Sequence, residues 1–276
     1  MSDDAAISEH YVHGDLLGAI KAALVDLGKT VDNVTIEDLA PVDEFHIGGR
    51  LATEGFMAQL DYSGQGHVLD VGCGLGGASR FVAQRYKNYV TGIDLTQEYI
   101  DTGNALCAWV RLDNFITLQQ GSAMSMPFAA ASFDGAYMMH VGMNIVDKAG
   151  LFAEIFRVLR PGAFLGIYDV MREQGGDISY PVPWAADENS SALATSGQYR
   201  QALVAAGFAV AKETGRRDFA VDFFTALRDR TEANGGPPAL GLHTLMKETT
   251  AEKIRNMIGN IAAGYIAPVE MIAFKR

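Results

Sequence analysis

The chain has 276 residues, 49% hydrophobic and 20% charged, which suits one large α/β domain, or one domain with a small attached lobe. Its net charge of −11 is not relieved by any basic stripe, so we expect a small-molecule partner and no nucleic acid, whose phosphates such a surface repels. No apolar run could span a bilayer, residues 1–10 lack a secretory-signal pattern, and two cysteines are too few for a disulfide framework, so we expect a cytoplasmic protein.

The predicted elements begin with helices and continue as alternating strands and helices. Apolar residues at helical spacing predict helices at 15–27 and 51–60. The alternation that follows implies an α/β fold with a mostly parallel sheet and right-handed crossovers. The predicted strands are 67–71, 89–93, 116–119, 133–138, 163–169, 208–212 and 270–275, and the helices between them are 77–85, 97–110, 151–159 and 198–206.

These elements suggest an arm and one main domain. We expect residues 1–61 to form an N-terminal helical arm or lid, and residues 62–276 to form a doubly wound, seven-stranded domain. Residues 213–262 are largely helical by pattern and would form an insertion before the last strand. The pattern does not fix the oligomeric state, and a homodimer is compatible with it.

The strongest motif is a glycine-rich loop after the first strand, in segment 68–77, VLDVGCGLGG. Glycine is needed where backbone lies against a ligand or adopts a positive φ. Such a loop stands at the carboxyl end of a strand, where ligands bind in open α/β sheets. Gly72, Gly74 and Gly77 also fit the dinucleotide-binding pattern, with Asp94 ending the next strand. A nicotinamide-dependent oxidoreductase is therefore a competing interpretation.

Asp70 distinguishes the two ligands. A carboxylate just before the first glycine would repel a pyrophosphate, whereas it would attract the ammonium and sulfonium groups of S-adenosylmethionine (SAM). Asp94 suits either ligand, because both contain a ribose whose hydroxyls can donate to a carboxylate. We therefore predict a SAM site, and the alternative without a ligand is a loop that only packs a helix on a strand.

Four blocks of sequence resemble class I SAM-dependent methyltransferases, at 68–77, 90–96, 121–137 and 159–169. Their order and spacing are more specific than a glycine loop alone. Within that family the chain is similar to small-molecule enzymes of the ubiquinone-biosynthesis type, including sarcosine/dimethylglycine N-methyltransferases and sugar or natural-product O-methyltransferases. Segment 44–48, EFHIG, resembles the arm that folds over the cofactor in those enzymes. The resemblance implies a Rossmann-like methyltransferase fold, with SAM as cofactor and S-adenosylhomocysteine as its product.

The resemblance also implies the residues that would bind SAM. Asp70 and Gly72 would hold the methionine end, and Gly74 would let the backbone approach it. Asp94 would bind the ribose hydroxyls. The adenine would lie among Leu95, Ser122, Ala123 and Met124. The family often has an acid where Ser122 stands, so here the adenine amino group would meet a hydroxyl in place of a carboxylate.

The acceptor site has no fixed motif, because SAM supplies the electrophile and the protein mainly positions the acceptor. His140, after the fourth strand, can titrate near neutral pH and is the candidate general base, with cofactor binding as its other role. Further acceptor contacts are expected from separate segments of the chain, at His46, Asn144, Tyr180, Trp184 and His243. An aromatic wall would suit a methylated ammonium.

The predicted function is methyl transfer from SAM to nitrogen or oxygen of a small metabolite, with an amine or N-methylated amino acid preferred. The alternatives are an NAD-dependent oxidoreductase and a SAM-binding module without catalysis. No metal site is predicted, because no cluster of cysteine and histidine has metal-ligand spacing.

Overall fold

The computed structural model describes residues 3–173 and 175–276, so Met1 and Ser2 of the predicted arm lie outside the described residues. Its strands are β1 (His67–Val71), β2 (Tyr89–Asp94), β3 (Ile116–Gln120), β4 (Phe133–Met139), β5 (Leu159–Arg172), β6 (Phe208–Gly215) and β7 (Ile266–Lys275). They form one sheet in the order β3-β2-β1-β4-β5-β7-β6. The first five pair in parallel, and β7 is antiparallel to both β5 and β6. The predicted fold, a mostly parallel seven-stranded sheet, is confirmed.

Eleven α-helices surround this sheet in the described part of the chain. The helices are α1 (Asp3–Tyr11), α2 (Leu16–Asp26), α3 (Ile36–Asp43), α4 (Gly49–Met57), α5 (Gly77–Tyr86), α6 (Gln97–Trp109), α7 (Lys148–Val158), α8 (Ser196–Ala206), α9 (Arg217–Ala233), α10 (Leu242–Met246) and α11 (Thr250–Ala262). The first four precede the sheet, and the last three lie between β6 and β7. Among them, no helix is long and apolar enough to cross a membrane.

The two faces of the sheet bury different helices, because successive strand residues point to opposite faces. On one face, Leu69 of β1 belongs to an apolar cluster with Phe152 of α7 and Leu203 of α8. On the other face, Val68 of β1 belongs to a cluster with Phe56 of α4. Both helix layers are thereby fixed on β1, the strand that leads into the glycine loop.

Strands β5 and β7 are longer than their sequence patterns indicate, which predicted 163–169 and 270–275. The antiparallel pairing continues to Arg172 opposite Ile266, well beyond both predicted limits. Each added pair satisfies backbone hydrogen-bonding groups through a partner that is distant in sequence. The local pattern therefore shows where these strands lie but not how far they extend.

The arm and the insertion have apolar clusters of their own. Helices α2 and α3 pack against α6 through residues such as Leu24, Leu39 and Leu106. Helices α9 and α11 pack with Trp184 of the connection after β5. Leu75 and Tyr99 of the first cluster, and Trp184 and Phe224 of the second, line the cavities of the candidate site.

Candidate active site

A cavity of about 1070 Å³, including open space at its mouth, lies at the carboxyl ends of β1, β2 and β4. Every residue that the sequence analysis assigned to SAM lines this cavity: Asp70, Gly72, Gly74, Asp94, Leu95, Ser122, Ala123, Met124 and His140. The arm closes it from the other side through Ile7, Tyr11 and Phe45. The fold therefore brings together residues from the glycine loop, from three later loops and from the first helix.

Asp70 is a buried carboxylate in the wall of this cavity, with 3% of the residue exposed. Its Oδ2 accepts hydrogen bonds from Ser79 Oγ at 2.6 Å and from Tyr137 Oη at 3.1 Å. Burial, helped by the neighbouring charge of Asp94, raises the pKa of Asp70 to about 7 against the effect of these two hydrogen bonds. A cationic group in the cavity would offset the cost of ionising this carboxyl. The negative charge of ionised Asp70 in the cavity wall would thus attract the ammonium of SAM.

Asp94 holds the glycine loop in place from the end of β2. Its Oδ2 accepts from the peptide N–H of Gly74, and its Oδ1 accepts from that of Thr96, both at 2.9 Å. Gly72 and Gly74 have φ values of 70° and 52°, a region that favours glycine. A Cβ on Gly72 would also collide with the side chain of Val141. These two glycines are therefore required by the backbone itself.

A variant of Asp94 tests this arrangement directly. We expect Asp94→Ala to weaken SAM binding by more than about tenfold, because it removes the acceptor predicted for the ribose hydroxyls and the carboxylate that holds Gly74. Isothermal titration with S-adenosylhomocysteine measures the change. The control is Asp101→Ala, on the exposed side of α6, which should bind as the unaltered protein does. Unchanged affinity in Asp94→Ala would remove this residue from the site.

A second cavity of about 570 Å³ adjoins the first. Four side chains line both cavities, namely Tyr11, Phe45, His46 and His140. The rest of its lining is apolar or aromatic: Ile47, Met143, Pro183, Trp184, Phe223, Phe224, Leu227, Leu242, Ile254 and Met257. Among these described lining residues there is no Asp, Glu, Lys or Arg. The shared wall is the place where molecules in the two cavities would meet.

Comparison with known proteins identifies a known domain in the chain. Residues 69–167 match the family model described as a methyltransferase domain. An O-methyltransferase from Pyrenophora dematioidea is 28% identical over 199 residues, which are 72% of this chain and 73% of that protein. O-methyltransferase resE from Aspergillus sclerotiorum is 31% identical over 169 residues, and the match spans 61% of each protein. The chain therefore contains a methyltransferase domain.

Solved structures share the fold of this methyltransferase. A putative sarcosine dimethylglycine methyltransferase from Galdieria sulphuraria superimposes with a TM-score of 0.62 and 21% identity, covering 81% of this chain and 82% of that one. Geranyl diphosphate C-methyltransferase from Streptomyces coelicolor, solved with S-adenosyl-L-homocysteine, gives 0.72 and 16%, covering 100% and 99%. SAM is the cofactor, and the first cavity is its candidate site. The competing oxidoreductase interpretation has no support.

His140 in this methyltransferase has both ring nitrogens engaged. Its Nδ1 donates to the carbonyl of Tyr168 at 3.3 Å, and its Nε2 accepts from the peptide N–H of Ile47 at 3.2 Å. Burial lowers the pKa of His140 to about 3, so the ring is neutral. These bonds tie the arm to β5. To act as the predicted general base, His140 would first have to give up a bond, and that role stays a prediction.

The structure places three of the five residues predicted to bind the acceptor at the two cavities. His46 lines both cavities, Asn144 lines the first and Trp184 the second. Asn144 Oδ1 accepts from Tyr11 Oη at 3.2 Å, which connects the first helix to the loop after β4. Tyr180 and His243 are not among the side chains that line either cavity. Their contact with the acceptor remains a prediction.

Sequence reasoning missed most of the second cavity. Tyr11 and Phe45 come from the arm, where α1 has almost no amphipathic pattern. Phe223 and Leu227 come from α9, where their spacing of four residues places them on one face. The spacing of Phe223 and Leu227 indicates an apolar face on α9, but it does not show which part of the protein that face covers.

Proposed function

We propose that this methyltransferase transfers the methyl group of SAM to a hydroxyl oxygen of a bulky, largely apolar small molecule. The observation that carries the proposal is the second cavity, whose lining is apolar and aromatic apart from the groups on the shared wall. Bound SAM supplies an electrophilic methyl group, and the protein must place a nucleophile in line with it. The shared wall of Tyr11, Phe45, His46 and His140 is where that alignment would occur.

The lining of the second cavity is a poor environment for an amino acid. A zwitterionic acceptor would lose the hydration of its carboxylate and ammonium, and no charged side chain lines this cavity to replace it. Apolar rings would instead bury surface against side chains such as Trp184 and Phe224, at about 25 cal/mol per Å². The apolar lining therefore favours oxygen in an apolar molecule over the amine that the sequence suggested.

The names of the two fungal relatives agree with oxygen as the reacting atom. Both are called O-methyltransferases. At 28% and 31% identity they support the reaction type without specifying the acceptor. The aromatic side chains would also suit a methylated ammonium, which binds such rings by cation–π attraction.

A panel of acceptors tests the proposal. We expect methylated products from naphthol, hydroxyanthraquinone or farnesol incubated with SAM, as measured by mass spectrometry. Sarcosine, dimethylglycine and ethanolamine should give none, because no Asp, Glu, Lys or Arg of the described chain lines this cavity to replace the hydration that their charged groups would lose. Products from these amines, with none from the hydroxylated apolar compounds, would contradict the proposal.

A pair of variants on α9 tests the location of the acceptor. Phe223 lines the second cavity, whereas Val221 on the same helix is 43% exposed. We expect Phe223→Asp to lower kcat/KM for the acceptor by about tenfold or more, because an unpaired carboxylate would face the apolar ligand. Val221→Asp makes the same change outside the cavity and should leave kcat/KM unaltered. SAM affinity should stay the same in both variants.

A further inference from the structure

Two histidines stand on the wall shared by the cavities, with ring centroids 6.0 Å apart, but their hydrogen bonds differ. His140 uses both ring nitrogens, as described above. His46 uses only Nε2, which lies 3.0 Å from the carbonyl oxygen of Gly49 and 3.0 Å from Thr53 Oγ1. Its Nδ1 has no hydrogen-bond partner among the described residues. The ring lines both cavities, so a ligand could supply that partner.

The neighbours of the two rings fix their tautomers. A carbonyl can only accept, so the carbonyl of Gly49 places the proton of His46 on Nε2. The lone pair of His46 is then on Nδ1. In His140 the carbonyl of Tyr168 requires a proton on Nδ1, and the Nε2 lone pair accepts from Ile47. Of these two rings, only His46 has a lone pair that no described residue engages.

The carboxylate of Glu44 lies close to Nε2 of His46. The Glu44 side chain is fully buried, and its Oε2 lies 3.4 Å from His46 Nε2. Its other oxygen is 3.1 Å from Arg50 Nη2, and Thr53 Oγ1 donates to Oε2. A positive charge that formed on His46 would therefore lie next to a held carboxylate, as in other pairs where an acidic group orients an imidazole and stabilises its charged form.

We propose that His46 is the general base, with Nδ1 accepting the proton of the acceptor hydroxyl during methyl transfer. The proposal rests on the function given above. The acceptor oxygen forms a bond to the methyl carbon as the carbon–sulfur bond of SAM breaks, and that electron pair stays on sulfur in S-adenosylhomocysteine. The hydroxyl proton passes to Nδ1, and the imidazolium is stabilised by Glu44. Glu44 acts through His46 and is a positioning residue.

The surroundings of His46 keep its ring neutral, so that Nδ1 can accept a proton. Burial, together with the charge of Arg50, lowers the pKa of His46 to about 4, so the ring is neutral at neutral pH. Burial also raises the pKa of Glu44 to about 7, whereas Arg50 favours its ionised form. The titratable or charged groups that face His46 are Glu44, Arg50, His140 and Tyr168.

The tautomers can be measured without any acceptor. In heteronuclear NMR of the enzyme with isotope-labelled histidine and bound S-adenosylhomocysteine, we expect His46 to carry its proton on Nε2 and His140 on Nδ1. The His46→Gln and His140→Gln variants assign the signals. A proton on Nδ1 of His46, or a charged His46 ring at neutral pH, would overturn the proposal.

Kinetics tests the chemical role. His46→Gln keeps an amide N–H that can donate to the Gly49 carbonyl but cannot accept a proton. We expect kcat to fall by about 10²- to 10⁴-fold, the usual contribution of a general base, with SAM affinity within about threefold of the original. Glu44→Gln should lower kcat by about tenfold and leave KM for the acceptor unaltered.

Acceptor acidity separates a lost base from a disturbed fold. Nitronaphthol gives up its proton more readily than naphthol, so it should lose less rate in His46→Gln. An equal loss with both acceptors, or a retained rate, would overturn the proposal. An enzyme that methylates only amines would contradict the proposed function, and the tautomer measurement would still decide whether Nδ1 of His46 is free.

Discussion

Replacing Asp70 by Asn is expected to weaken SAM binding by about 10- to 100-fold at pH above about 7, the value of one charge-assisted hydrogen bond. The same change should remove most of the pH dependence of the affinity. Burial holds the pKa of Asp70 at about 7, so the carboxyl of the free enzyme is half protonated there. The SAM ammonium favours the ionised form, so the pKa must fall on binding.

The sign of the pH effect follows from this shift. Below about pH 7 binding must release a proton from Asp70, so the dissociation constant should fall as pH rises to about 7 and then level off. In the ligand-free enzyme, the raised pKa of Asp70 contributes to the free energy of unfolding at low pH, and this contribution is lost as pH rises through about 7. Bound SAM should restore the lost stability.

Titration calorimetry in buffers of different ionisation enthalpy measures the proton released. The matched control is Asp134→Asn, which changes a carboxyl at the other end of the sheet, where Asp134 accepts from the His67 peptide N–H. It should retain the pH dependence of SAM affinity. An affinity in the unaltered enzyme that does not change across this range would show that Asp70 does not meet the ligand's charge.

Arg80→Met is expected to lower the free energy of unfolding by about 3–5 kcal/mol, the usual cost of breaking a buried ion pair. Arg80 of α5 pairs with Asp43 at the end of α3, and their side chains are 0% and 1% exposed. The variant would leave the Asp43 carboxylate buried without its cation. Because the pair joins the arm to the core, we expect the arm to loosen as well.

Urea denaturation measures this change. The double variant Asp43→Leu with Arg80→Met removes both charges and should be more stable than Arg80→Met alone. The control is Arg160→Met, which breaks an exposed pair with Asp134 and should cost no more than about 1 kcal/mol. A loss from Arg80→Met as small as that of the control would contradict the expectation.

The residues that the sequence assigns to the cofactor meet at one cavity because their signals are local. The strand, the glycines and Asp70 lie within one short segment, and Asp94 ends the next strand. Parallel strands bring their carboxyl ends to one edge, so these residues meet in any fold of this class. The structure places all of them around one cavity.

The acceptor side depends on contacts between segments that are distant in the chain. The wall shared by the cavities needs Tyr11 and Phe45 from the arm beside His140 from the core. Periodicity shows which face of a helix is apolar but not which partner it covers. Similarly, nothing in the sequence around Arg80 indicates that its partner is Asp43, from another helix.

The position of β7 also restricts the order in which the protein can form. This strand lies between β5 and β6, so β6 joins the sheet only through residues 266–275. A ribosome releases the chain from its N-terminal end, so β6 must wait for some fifty later residues before it has a partner. Until then the edge of β5 is unpaired and open to other strands. We expect nascent chains that stop before β7 to aggregate, even though the complete glycine loop is already present in them.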